Sequence, residues 1–481
     1  MNRMFLNVSL ALAILPLLNG CMKMGPDFRR PDTGIQVPGS YQYAPTKQET
    51  PWPEDEWWRV FHNTEINRLV EEVLRNNLDI KNAAARILEM QSKLVQTRAD
   101  RFPGLNLEGQ VKRQQKGVDA AVVTYEDQTF QIESQRQTRT YSYHYLSLAA
   151  SFELDLWGRL ARAEEAALAN LLQAEENRQT VAQTVVAESI ILYLQMEAIE
   201  RQLQITKESI KSFRRNLDLV ENRYERGLTS ILDVRQARRI LARAEVLLPS
   251  QRQDLGTTQQ KLAVLLGRYP KTRPPRPQQE DYFKLLAPVP PGLPSELLLR
   301  RPDIRKAEAE LRALNAKVGV AKASRFPSIT LTGSSGYASY ELNQLFRPDS
   351  FLWSIAAGLG QPLFDAGKLK ANQRAAEARY RQGVTKYAKK VLTAFSEVEK
   401  ALLTRKEQLE RRDRTLKFLI EARETRKVAE TRYMRGLVDY LTVLDAQQTQ
   451  FQAEENLVLV DLAIMSNRVT LHRALGGGWA E

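Results

Sequence analysis

Side chains able to do covalent or acid–base chemistry are few and scattered in this chain. It has one cysteine, Cys21, and three histidines, His62, His144 and His472, far apart from one another. A lone thiol excludes a disulfide within the chain. No phosphate loop, metal-ligand spacing or activated-nucleophile pattern accompanies these residues, so the sequence predicts no enzyme, no cofactor and no metal site. What remains is one modifiable thiol and an arrangement of charge. The carboxylates that stand out are Asp233 and Asp445, each a few residues past a lone glycine, and Glu153 and Asp155, on the polar side of an alternating segment.

Cys21 has a context. Arg3, an apolar run over 5–18 and then Leu18-Asn19-Gly20-Cys21 form a leader too short to span a membrane. Leu-x-Gly-Cys resembles a bacterial lipoprotein signal, with Cys21 as the acylated first residue. Met22 rather than Asp follows it, which in such lipoproteins implies forwarding to the outer membrane. The formal charge of +13 becomes 13 − 1 = +12 once Arg3 is removed. A basic balance could suggest nucleic acid, but an exported chain excludes that partner. No later run reaches 18 apolar residues, so no transmembrane helix is expected.

The elements that position these residues are written twice. Arg223-Tyr224-Glu225-Arg226-Gly227-Leu228 returns as Arg432-Tyr433-Met434-Arg435-Gly436-Leu437, at an offset of 436 − 227 = 209. The same offset links Gly158 to Gly367 and Gly267 to Gly476. A duplication of this period predicts one two-fold-repeated body rather than separate domains. The chain divides into a leader over 1–20, an anchored extended segment over 21–62, a first repeat over 63–268, a Pro-rich linker over 269–294, a second repeat over 295–475 and a tail over 476–481. Trp57 and Trp58 read as aromatics that dock the first helix onto the body.

Each repeat begins with a helix, over 65–100 and 295–324, that stops at Arg101-Phe102-Pro103 or Arg325-Phe326-Pro327. The apolar period then drops to two. Leu105, Leu107 and Val111 alternate with polar residues, as do Leu146 through Leu156; Ile329, Leu331 and Tyr337, and Trp353, Ile355 and Leu359, form the second pair. Four strands of about ten residues, each with one apolar face, are long enough to cross a bilayer. From the Arg-Phe-Pro proline to the next glycine landmark is 158 − 103 = 55 residues in the first copy and 367 − 327 = 40 in the second. The first strand-to-strand loop is therefore expected to absorb 15 extra residues.

Long helices follow. Ala182, Val185, Ser189, Leu192, Met196, Ile199 and Leu203 begin a seam in steps of three and four that continues to Tyr224. It resumes after the tip at Val234, Ala237, Leu241 and Ala244, and in the second copy at Val443, Ala446, Gln450 and Ala453. Such a seam demands a supercoiled partner helix. The outgoing arm of the second copy is weaker, with Phe395, Leu402, Leu409 and Leu416 at sevens. Gly227 and Gly436 are the tips of two helical hairpins, and at about 1.5 Å per residue the arm from Gly158 to Gly227 reaches about 100 Å. Pro249 should kink or break the return arm. The run 411–414 reads as a solvated helix face.

Leu-x-Gly-Cys, Gly25-Pro26-Asp27-Phe28, Trp57-Trp58, the two Arg-Phe-Pro helix ends and the two Arg-Tyr-x-x-Gly-Leu tips together resemble the outer-membrane efflux protein (TolC-like) family, in its lipoprotein branch. The resemblance covers nearly the whole mature chain. It implies a mainly α chain with a membrane β part, assembled as a homotrimer with a twelve-strand barrel and a twelve-helix periplasmic tunnel. It also implies an exit duct in the outer-membrane lipid that works with a periplasmic adaptor and an inner-membrane transporter. By motif position, Asp445 falls where an aperture-lining aspartate is expected, and Asp233 and Tyr433 match a pair linking neighbouring hairpins. A family position that is often acidic is Thr442 here. Gly227, Leu228, Gly436 and Leu437 would meet the adaptor, and Glu153 and Asp155 would face the lumen. The alternative is a periplasmic coiled-coil scaffold or adaptor that does not span the outer membrane.

Overall fold

The computed structural model describes residues 23–44, 56–126, 129–274 and 294–477, with Val289 and Gly292. A 3-10 turn over Trp57–Phe61 leads into α1 Thr64–Asn76, α2 Leu78–Ala99, β1 Gly104–Glu126, β2 Thr129–Leu154, α3 Arg159–Glu225 and α4 Ile231–Leu265. The second copy follows as α5 Pro294–Arg300, α6 Pro302–Ala323, β3 Ser328–Ser339, β4 Phe351–Gly360, α7 Lys368–Met434 and α8 Tyr440–Ala474. No described helix is long and apolar enough to cross a membrane.

The four strands form one antiparallel sheet in the order β1-β2-β3-β4. Its register puts Leu105, Ala150, Gly333 and Ile355 opposite one another, and likewise Leu107, Leu148, Ser335 and Trp353. Because side chains alternate across a strand, Leu105, Leu107, Val111, Leu148, Trp353, Ile355 and Leu359 fall on one face. They remain exposed, Ile355 at 81%. The other face is polar: Ser334 and Ser354 bond hydroxyl to hydroxyl at 2.8 Å.

Two expectations about the sheet change. The first copy has strands of 23 and 26 residues, so the 15 extra residues lengthen a hairpin rather than a loop. Its pairing continues to Glu126↔Thr129, whereas β3 accompanies β2 only between His144 and Leu154. β2 also begins well before the alternation that starts at Leu146, taking in Tyr141, Tyr143 and Tyr145.

The opening helices are also divided. α1 and α2 separate at Asn77, whose side-chain oxygen accepts the N–H groups of Asp79 (2.9 Å) and Ile80 (3.1 Å) and so starts α2 afresh. Its amide donates to the Leu265 carbonyl at 2.8 Å. α5 and α6 separate at Arg301, which donates to the Ala474 carbonyl at 2.9 Å. Leu265 and Ala474 are the last residues of α4 and α8, and 474 − 265 is again 209. Different residues at the two breaks therefore hold the same carbonyl, at the end of the return helix.

Both hairpins have an outgoing helix of 67 residues and a return helix of 35. Their seams are buried: Ser189, Leu203, Thr206, Val220, Ala453, Val460 and Leu471 are each at most 1% exposed. In α7 the seam runs through small residues, Val391, Ala394, Val398 and Ala401, beside the expected Leu402. Pro249 does not end α4, which continues through it. The chain forms two compact units that cut across the repeats. One comprises Met1–Arg30, Glu89–Leu171 and Glu310–Gly383; the other Pro31–Leu88, Leu172–Ala309 and Val384–Glu481. In the second, Trp57 and Trp58 join Ile66, Val70, Ile190, Leu194 and Val469 in a core, with Trp57 stacked on His472 at 4.9 Å.

Candidate functional site

The hairpin tips are built by the same backbone chemistry in both copies. Gly227 (φ +70°) and Gly436 (φ +72°) take the left-handed conformation that stops a helix. Gly227 N–H donates to Tyr224 O and Leu228 N–H to Arg223 O, both at 2.8 Å; Gly436 and Leu437 repeat the pattern at 2.9 and 3.0 Å. A Cβ at either glycine would meet nothing within 4 Å, so the backbone angle alone requires glycine. Leu228 (60% exposed) and Leu437 (65%) project from the turns.

Both return helices start with side-chain caps. Ser230 accepts the Asp233 N–H at 3.3 Å while Asp233 accepts the Ser230 N–H at 3.2 Å, a capping box. The Thr229 hydroxyl also donates to this carboxylate. In the second copy Asp439 accepts both the N–H (3.0 Å) and the hydroxyl (2.6 Å) of Thr442. The bonds from Thr442 hold the Asp439 carboxyl below its ordinary range. Since 439 − 230 and 442 − 233 both equal 209, acid and hydroxyl have exchanged places between the copies.

Asp233 is thus occupied within its own tip. Tyr433 is buried 5.3 Å from the Tyr440 ring, with the Arg223 guanidinium 5.0 Å above it. Its hydroxyl has no hydrogen-bond partner among the described residues. Tyr433 and Tyr440 pack with Val234, Val443 and Ala446 in one apolar cluster, so the two tips lie side by side. Burial, then Tyr433 and Asp233, push the Tyr440 phenol upward. Asp445 is exposed on α8 between the buried Leu444 and Ala446.

Glu153 and Asp155 stand at the base of β2. Glu153 pairs with Arg159 at 2.7 Å. Asp155 lies past the strand, which ends at Leu154, and caps α3 by accepting the N–H groups of Leu160 (3.0 Å) and Ala161 (2.7 Å). The strand-residue expectation for Asp155 is corrected accordingly. Asp365 does the same for α7 through Leu369 (2.8 Å) and Gly367 (2.9 Å).

Cys21 lies outside the described residues, but the segment that follows it is tied down. Met24 N–H donates to Trp157 O at 3.0 Å. Arg162, 2% exposed, donates to Met24 O and Gly25 O at 3.1 Å and to Asp27 at 2.8 Å. Asn315 donates to Pro26 O at 2.8 Å, and Gly158 leaves no room for a Cβ, which would come within 2.8 Å of Lys23 Cα. Arg162 has no signal in the sequence, where it looks like one more helix-surface arginine. Among the described residues no three His, Cys, Asp or Glu side chains converge as a metal site.

Comparison with known proteins is consistent along the whole chain. The family model described as "Outer membrane efflux protein" matches residues 69–268 and 293–477. The cation efflux system protein CusC of Escherichia coli O6:H1 is 32% identical over 465 residues, 96% of this chain and 97% of that protein. The probable outer membrane lipoprotein SilC of Salmonella typhimurium is 31% identical over 98% of this chain and 99% of its own. Among solved structures, the outer-membrane channel OprN superposes with a TM-score of 0.86 at 28% identity, covering 95% of this chain and 99% of that one.

Proposed function

The chain belongs to the outer membrane efflux protein family, and from that membership we propose a lipid-anchored homotrimer that forms the exit duct of a tripartite pump. It is an outer-membrane efflux channel and not an enzyme. The single observation that supports the trimer is the sheet: four strands, one continuous apolar face left uncovered, and two free edges, β1 and β4. Open edges are forbidden in lipid, and four strands cannot close a barrel. Three copies would supply twelve.

Substrate then moves passively down a wet path, with a periplasmic adaptor and an inner-membrane transporter providing capture and energy. The adaptor is read to meet the tips at Gly227, Leu228, Gly436 and Leu437. Three Asp445 carboxylates would gather at the periplasmic aperture, and the unpartnered Tyr433 hydroxyl is positioned to link to Asp233 of a neighbouring copy. Glu153 is read as facing the lumen beside Arg159. Acylated Cys21 would lie two residues from Lys23, which packs against Gly158 at the foot of the sheet. Purified protein reconstituted into planar bilayers is expected to conduct; a purified trimer with no conductance would favour the non-spanning scaffold instead.

A further inference from the structure

We infer that the paired tips dock a partner surface that is both apolar and acidic, a statement about adaptor chemistry that rests on the tip-docking reading above. The two tips are one surface, since Tyr433 and Tyr440 of one pack with Val234 of the other and Arg223 of the first covers Tyr433 of the second. On that surface most carboxylates are already engaged. Asp233 and Asp439 cap their helices, Glu221 pairs with Arg238 at 2.6 Å, and Glu430 accepts the Gln447 amide at 2.9 Å.

The cations are not. Arg226, Arg235, Arg239, Arg432 and Arg435 are all exposed, and none of their guanidinium groups has an ion pair or hydrogen bond among the described residues. Among the described residues Asp218, Glu225 and Asp445 remain exposed and unpaired as anions nearby, fewer than the free cations. Arg226 and Arg435 occupy equivalent positions, each immediately before its tip glycine and two residues before the exposed Leu228 or Leu437. A cation beside an apolar knob therefore recurs at both tips. A partner that buried the leucines would bring these guanidiniums out of water, and only carboxylates on its side would compensate them. A basic or neutral partner would leave them unpaired.

The test uses the full-length protein in its own host, with a photo-cross-linking amino acid replacing Arg235 or Leu437. The expected product is a segment of a periplasmic protein, identified by mass spectrometry, with Asp or Glu beside apolar residues. The triple reversal Arg226→Glu, Arg239→Glu and Arg435→Glu should lower cross-link yield from position 437 about tenfold, because charge sets the encounter rate across such surfaces. Trimer yield and single-channel conductance of the reversed protein verify that it folds. A cross-linked segment lacking acidic residues, or a yield that reversal leaves unchanged, overturns the acidic partner but leaves tip docking intact. Cross-links to lipid alone, or none from either position, overturn both.

Discussion

Asp303 shows how one charge can be held inside this fold. Burial alone would raise its carboxyl, yet Arg301 and Lys390, at 2.8 and 2.6 Å, hold it down to about 2 from an ordinary 3.8. A depressed folded-state value means the stabilisation is complete above the ordinary carboxylate range and is lost as pH falls toward 2. Asp303→Asn should therefore cost about 2 kcal/mol at neutral pH and little near pH 2, measured as unfolding midpoints in detergent at both. Gly436 makes a different kind of contribution. With φ at +72° and open space around the missing Cβ, Gly436→Ala should cost about 1 kcal/mol through the backbone alone, seen as faster protease cleavage at the tip. A larger loss would mean that the glycine also accommodates a close contact.

At the scale of elements, the two return helices make the same start with acid and hydroxyl exchanged. Asp439→Ala should destabilise the second hairpin by about 1 kcal/mol, because Thr442 loses its acceptor. Asp439→Ser combined with Thr442→Asp recreates the arrangement of Ser230 and Asp233 and should recover most of that loss in a thermal melt. No recovery would show that the two tips are not interchangeable. The hairpins themselves were legible in the sequence because large apolar residues mark their seams. The α7 seam was not, since Ala394 and Ala401 do not stand out from the alanines around them. The breaks at Asn77 and Arg301 were equally silent: the carbonyls they hold lie 188 and 173 residues away along the chain. Nor could alternation reveal the outer half of β1, where the pattern of Leu105, Leu107 and Val111 gives way to Lys112-Arg113-Gln114-Gln115-Lys116. Among the site residues, tip position and exposed leucines followed from the repeated motif. The capping roles of Asp155 and Asp233 needed coordinates, because a carboxylate near a helix start can equally face solvent.

At the scale of the whole molecule, the proposed aperture makes a prediction that depends on copy number. Carboxylates brought together near one axis repel when ionised, so a shut end must hold cations between them, and it is this cation-bridged ring that would obstruct the current. Asp445→Ala should raise single-channel conductance in planar bilayers if three Asp445 side chains help to keep the periplasmic end shut. An unchanged current would remove this residue from the closure while leaving the duct itself in place.

The unequal strands carry one more consequence. The 67- and 35-residue helices are matched between the halves of the chain, while only the first half sends its strand pair on to Glu126 and Thr129. A ring of three chains, as proposed, would thus carry six near-equivalent helical hairpins and only three long strand pairs. A partner of the helical hairpins would meet quasi-sixfold symmetry; a partner of the strand pairs would meet strict threefold symmetry.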